Sequence, residues 1–316
     1  MDYAKLVTEK VNASTENIDL CSSREIVELI NREDQKVARA VEKELPFIAE
    51  AVDSIVERMR QGGRLFYIGA GTSGRIGVLD ASECPPTFGT DPSLVQGIIA
   101  GGDTALRTAI EGIEDSFESG VEDIRKINIG ASDTVVGITA SGSAPYVIGG
   151  LEAAGKKGAL CIAVCNTRPA AVEAYASVVI APVVGPEVIM GSTRMKAGTA
   201  QKMVLNMLST ASMVRLGKVY KNLMVDVMPT NNKLADRTIR IIMEACNINR
   251  ERAQDALEKA QGRAKAAIVM VQYGYSLEEA HRYLQRMMVY RKSNAGELDY
   301  RWSTSLVWTA EGATRP

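Results

Sequence analysis

The chain has 316 residues, 46% hydrophobic and 24% charged, enough for one large α/β domain with an appendage or for two mid-sized domains. Its 37 Lys and Arg against 38 Asp and Glu leave a net charge of −1, which gives no support to a nucleic-acid binder or a basic membrane-surface protein. A single histidine, His281, excludes multi-His metal sites. Any His-dependent triad would have to run through that one residue, so catalysis must lean on carboxylates, Lys, Tyr, hydroxyls or backbone N–H groups.

The first 63 residues read as helical. Ser22 and Ser23 can cap a run from Arg24, with Glu25 and Glu28 favourable in its first turns, and apolar residues recur at helical spacing through IVELI, VARAV and IAEAVDSIV. Pro46 starts a new helix and Gly62-Gly63 stops it. From Arg64 short apolar runs bounded by Gly appear at 65–71, 95–102, 134–142, 159–165 and 177–185, mostly separated by helical segments, notably 103–127 and 144–155. Near-continuous apolar strands alternating with helices predict a five-stranded parallel sheet covered on both faces. Segment 194–224 reads as one long helix, apolar around much of its circumference, expected to pack on the sheet and on a second copy. After residue 228 three or four short helices form an all-α appendage. The stretch from Arg291, with both tryptophans, has no clear period. The expected organisation is thus a helical arm (1–55), an α/β domain (56–227), a small helical domain (228–290) and a tail of unassigned structure (291–316).

Five cysteines, with no CxxC spacing, form an odd set. On a strand Cys161 and Cys165 would lie roughly 13 Å apart, too far for a bridge, so reduced thiols are expected. The N-terminal MDYAKLVTEK has no apolar signal region, and no window approaches the roughly 18 apolar residues of a membrane span, so a cytoplasmic protein is expected.

Two loops carry the chemistry. The first strand ends in Gly69-Ala70-Gly71-Thr72-Ser73-Gly74, which fits a dinucleotide-type glycine pattern. The next strand ends in Ile-Ala-Gly-Gly, however, with Asp103 too late to bind a ribose. A second loop, Thr139-Ala140-Ser141-Gly142-Ser143, follows the third strand in the same topological position. Both open helices whose N-termini favour anions. Two such loops side by side suit one compact phosphate on a polyol, with Thr72, Ser73, Ser141 and Ser143 as donors and Gly71 and Gly142 allowing backbone approach. Arg194 and Lys196, after a Gly-Ser-Thr turn, are further candidates for an anion, or a solvated helix start.

GAGTSGRIGVLDASECPPTFG (69–89), EGIED (111–115), GITASGSAPYVIGGL (137–151), GSTRMKAGTAQKMVLNMLSTASM (191–213) and GKVYKNLMVDV (217–227) closely resemble the N-acetylmuramic acid 6-phosphate etherases of the sugar isomerase (SIS) domain superfamily. The resemblance covers roughly residues 5 to 285. It implies an SIS-type doubly wound fold and a homodimer, without metal or redox cofactor. The implied activity cleaves the D-lactyl ether of N-acetylmuramic acid 6-phosphate to N-acetylglucosamine 6-phosphate and D-lactate, in peptidoglycan recycling. By resemblance Glu83 is the proton donor and Glu114 the base, and Glu111 is a nearby decoy. The chemistry suits a carboxyl pair: in the open-chain sugar carbon 2 is α to an aldehyde and the ether β to it, so a base and an acid suffice. Pro85 and Pro86 are expected to end the helix beside Glu83, in apolar surroundings that raise its pKa. A ketose–aldose isomerase and a non-catalytic phosphosugar-binding regulator remain as alternatives on the same fold.

Overall fold

The computed structural model describes residues 6–227 and 232–293, with side chains described to 286. Its contacts form two units, residues 1–84 with 91–212 and residues 85–90 with 213–316. The expected tail therefore lies outside the described residues from 294 onward.

Among its described residues the first unit begins with three short 3-10 turns and then α1 (Ser23–Glu42), which starts with a capping box. Ser22 N–H donates to the Glu25 carboxylate at 2.7 Å, and the Ser22 hydroxyl accepts from Glu25 N–H. Helix α2 (Leu45–Arg60) carries Pro46 in its first turn, where the missing N–H is not needed. Its inward face (Ile48, Val52, Ile55, Val56) is buried, each side chain contributing about 1.5–3 kcal/mol.

Five parallel strands follow: β1 (Leu65–Gly69), β2 (Val95–Ile99), β3 (Thr134–Ile138), β4 (Leu160–Val164) and β5 (Val178–Ile180), in the order β2-β1-β3-β4-β5. Every residue of β1 and β3 is buried, as a sheet covered on both faces requires. The crossover elements are α3 (Gly71–Phe88), α4 (Asp103–Arg107), α5 (Phe117–Lys126) and α6 (Pro145–Gly155), and α7 (Lys196–Arg215) follows β5. One sheet face packs Phe66, Ile68, Val135, Cys161 and Ala163 against Ile124 of α5 and Tyr146, Val147 and Leu151 of α6.

Three expectations need correction. Segment 103–127 is helical only in part: α4 ends at Arg107 with Thr108 in extended backbone, Gly112 (φ 73°) turns the chain into a 3-10 turn, and Ser116 caps α5 through the N–H of Ser119. Helix α3 does not end at the proline pair but runs through Pro85 and Pro86 to Phe88: each proline withholds only its own N–H within the last turn, and Gly89 N–H closes that turn by donating to Pro85 O at 2.9 Å. The predicted long helix 194–224 stops at Arg215. Gly217 (φ 78°) sits at the left-handed closing position, and Lys218 N–H donates back to Met213 O at 2.9 Å.

The second unit contains α8 (Asn232–Cys246), α9 (Arg250–Lys259), α10 (Ala264–Tyr273) and α11 (Leu277–Ser293) around Ile241, Ile242, Ala253, Ala256 and Ile268. Asn249 caps α9, and Gly274 closes α10 with a left-handed residue. Among the described residues no helix is long and apolar enough to cross a membrane.

Candidate active site

The strand order reverses between β1 and β3, and register places their ends level, with Gly69 beside Ile138. The loops after these strands therefore leave the sheet as neighbours, about one strand spacing (~4.8 Å) apart, at the switch point where open α/β sheets take ligands. The sequence permits this because it puts glycine where the chain must fold back tightly. A Cβ on Gly69 would lie 2.8 Å from Gly74 N, and one on Gly74 would lie 2.5 Å from Gly69 O. The first turn of α3 is thereby pressed onto the end of β1, with its free N–H groups at the crevice. Gly71 (φ 52°) is exposed, with open space where a Cβ would be.

The second loop is pinned from behind. Thr139 N–H donates to Val164 O at 3.0 Å, and Val172 N–H donates to Gly142 O at 2.9 Å. Gly142 (φ 69°) approaches Ala170 so closely that a Cβ would sit 2.5 Å from that methyl. The hydroxyls of Ser141 and Ser143 lie 2.9 Å apart, and Ser143 N–H donates to Ser141 Oγ at 3.3 Å. Both side chains are half-buried, as is Thr72. Ser73 is buried, and its hydroxyl donates to Gln201 Oε1 at 2.9 Å.

The two carboxylates sit on different elements. Glu114 sits in a 3-10 turn (Ile113–Asp115) that packs on α6, the helix opened by the second loop. Glu83 lies ten residues beyond Ser73 on α3, about 15 Å along the axis at 1.5 Å per residue. That exceeds the span from a hexose's 6-phosphate to its carbon 3. Both carboxylates are exposed, and so is Glu111; Glu83 stands with Ser82 on the solvent side of α3 and is not enclosed by the apolar surroundings expected, while Ala81 and Cys84 on either side of the pair face inward and are buried. Leu79, one turn earlier, is also exposed at 51%.

Lys196 departs from both sequence readings. It is 1% exposed, and its Nζ donates to the Glu33 carboxylate of α1 at 2.6 Å. Burial alone would raise the Glu33 pKa, yet hydrogen bonds from Lys196, Lys36 and Asn12 hold it at about 2. The start of α7 is satisfied internally, since Glu187 accepts from the N–H groups of Lys196 and Ala197 at 3.0 and 2.9 Å. Arg194 is exposed.

A further cluster was not anticipated. Asp80, buried in α3, accepts from the Tyr67 hydroxyl of β1 at 2.8 Å and from Asn206 and Ser209 of α7 at 2.6 and 3.1 Å. Burial raises its pKa against these bonds, and pushes the Tyr67 phenol well above its usual range. The available signal was the recurrence of polar Gln201, Asn206 and Ser209 within the apolar face of α7. A cavity of about 560 Å³ bordered by α5 and α6 carries no residue of either loop.

Fold and loops together define a doubly wound parallel α/β protein whose switch point carries two Gly and hydroxyl loops side by side. Residues 47–155 match the family model described as glucokinase regulatory protein N-terminal SIS domain. Over 95% of its length the chain is 54% identical to N-acetylmuramic acid 6-phosphate etherase of Clostridium beijerinckii, covering 98% of that protein. It is 56% identical to the etherase of Symbiobacterium thermophilum over 87% of this chain and 91% of that one. The chain belongs to the N-acetylmuramic acid 6-phosphate etherase family.

Proposed function

We propose that the protein cleaves the D-lactyl ether of N-acetylmuramic acid 6-phosphate by elimination and re-addition of water, giving N-acetylglucosamine 6-phosphate and D-lactate. The observation that carries this reading, beside family membership, is the pair of Gly and hydroxyl loops level with each other at the β1/β3 switch point. They hold the 6-phosphate through N–H groups of the α3 first turn and the hydroxyls of Thr72, Ser141 and Ser143. Glu114 takes the carbon 2 proton of the open-chain aldehyde. Glu83 protonates the departing lactyl oxygen, leaving a carbon 2–carbon 3 double bond conjugated to the aldehyde. Water then adds to carbon 3, losing its proton to Glu83, while Glu114 returns a proton to carbon 2. Both carboxyls end as they began.

Glu83 is exposed about 15 Å along the axis of α3 from Ser73, and exposed Leu79 one turn before it continues the same open face. We read the enzyme as a cytoplasmic homodimer in which the Glu83 and Leu79 face of α3 from one copy completes the site of the other. It serves amino-sugar catabolism and peptidoglycan recycling.

Assay of D-lactate release tests the roles. Glu114→Gln should lose two to four orders of magnitude in turnover, Glu83→Gln should be similarly impaired, and Glu111→Gln should matter far less. Mixed and re-associated, the two inactive variants should recover up to about a quarter of wild-type activity, because half of the dimers are mixed and each has one intact site. Near-normal turnover in folded Glu114→Gln would refute its role as base, and absence of recovery in demonstrably mixed dimers would place both carboxylates in one chain.

A further inference from the structure

Sheet pairing stops at Gly69 and Ile138, so beyond that line the β-ladder does not hold the first loop against the second. A buried relay of side chains does. The Ser73 hydroxyl donates to Gln201 Oε1 at 2.9 Å, Gln201 Nε2 donates to Asn166 Oδ1 at 3.0 Å, and Asn166 Nδ2 donates to the Pro182 carbonyl at 3.0 Å. The backbone N–H of Asn166 meanwhile donates to Ala140 O, inside the second loop, at 3.0 Å. Gln201 and Asn166 are each 1% exposed.

The direction of the relay is set at its far end. A carbonyl only accepts, so Asn166 must turn its amide nitrogen to Pro182 and its oxygen to Gln201. Gln201 must then offer nitrogen to Asn166 and oxygen to Ser73, which leaves the serine as donor. The Ser73 proton thus points into the protein, and its side chain has none to give an anion while the relay stands. Apolar residues at 166 and 201 would fill the same space without the risk of unpaired buried groups. The polar chain links the first loop, α7 and the second loop in one arrangement.

We propose that Gln201 and Asn166 are positioning residues that hold the two loops in register for a phosphate monoester; this rests on the reading of the loops as the phosphate site. Removing the link leaves the reacting carboxylates untouched, so the loss falls on phosphate binding.

The test measures inorganic phosphate affinity by calorimetry, with KM and kcat for N-acetylmuramic acid 6-phosphate, on the full chain. Gln201→Leu should weaken phosphate binding and raise KM by about tenfold, as expected for one lost interaction of about 1.4 kcal/mol, with kcat within about twofold of the parent. Gln201→Glu guards against a leucine variant that fails to fold. Its carboxylate cannot donate to Asn166 but its protonated form can, so phosphate affinity relative to the parent should recover as pH falls. Thr72→Val and Ser141→Ala report on the loops themselves. If these weaken phosphate binding while both Gln201 variants bind like the parent, or if Gln201→Leu lowers kcat alone, the positioning role is overturned and the loop reading stands. If neither the loop variants nor the Gln201 variants alter phosphate affinity, the loop reading fails and the relay's role fails with it.

Discussion

Lys196→Met tests whether the buried pair with Glu33 holds the N-terminal helix to the start of α7. The Lys196 ammonium and the Glu33 carboxylate are 1% and 2% exposed and 2.6 Å apart. Glu33 is held at about 2 against its ordinary 4.5, a displacement worth roughly 3 kcal/mol. Deleting one partner of a buried pair costs about 3–5 kcal/mol, because the other charge stays buried. Here Glu187, which accepts two N–H bonds beside Lys196, also loses a nearby cation. At about 2–4 °C per kcal/mol for a unit of this size, the first unit should melt about 10 °C lower. Thermal unfolding followed by circular dichroism measures this. The double variant Glu33→Leu with Lys196→Met should recover part of the loss, since the Glu33 carboxylate is no longer left buried while Glu187 still lacks its nearby cation. The pH dependence has a definite sign: a carboxyl whose folded pKa is depressed stabilises above its ordinary 4.5, and that contribution is lost as pH falls toward about 2. The wild type should show this acid decline, and Lys196→Met should show less of it. A Lys196→Met protein melting within about 1 °C of the parent, or a double variant less stable than either single one, would refute the reasoning.

Two other outcomes follow from the geometry. Tyr67→Phe deletes a donor to the buried Asp80 carboxylate and should cost about 1.5–3 kcal/mol of stability by urea titration, while KM for the phosphosugar stays close to the parent's. Gly142→Ala forces a side chain into a left-handed position 2.5 Å from the Ala170 methyl, so it should distort the second loop and raise KM by about tenfold or more, read from initial rates.

The frame of this fold was legible because strand burial on both faces leaves a sequence mark: LFYIG, TVVGI and LCIAV are apolar without alternation, and glycine follows where the chain must turn. The two loops were legible for the same reason, as glycine and hydroxyl residues at the ends of β1 and β3. What escaped depends on contacts between residues far apart in the chain. Lys196 reads as a surface cation until α1 supplies Glu33 from 163 positions away. Asp80 reads as part of a motif until β1 and α7 close over it. Gln201 reads as an ordinary helix residue until Ser73 and Asn166 meet it. Local signals also carry unequal weight: Pro85 and Pro86 do not stop α3 near its last turn, whereas Gly217 does end α7. The exposure of Glu83 is a tertiary outcome as well, since helical spacing alone does not say which side of α3 meets the sheet.

Isotope placement tests the central account most directly. Turnover of N-acetylmuramic acid 6-phosphate in deuterium oxide, and separately in oxygen-18 water, should give N-acetylglucosamine 6-phosphate with deuterium at carbon 2 and with the heavy oxygen on carbon 3, while the released D-lactate keeps its original ether oxygen. Lactate carrying the solvent oxygen, or product retaining its full protium at carbon 2, would contradict elimination and re-addition at this site.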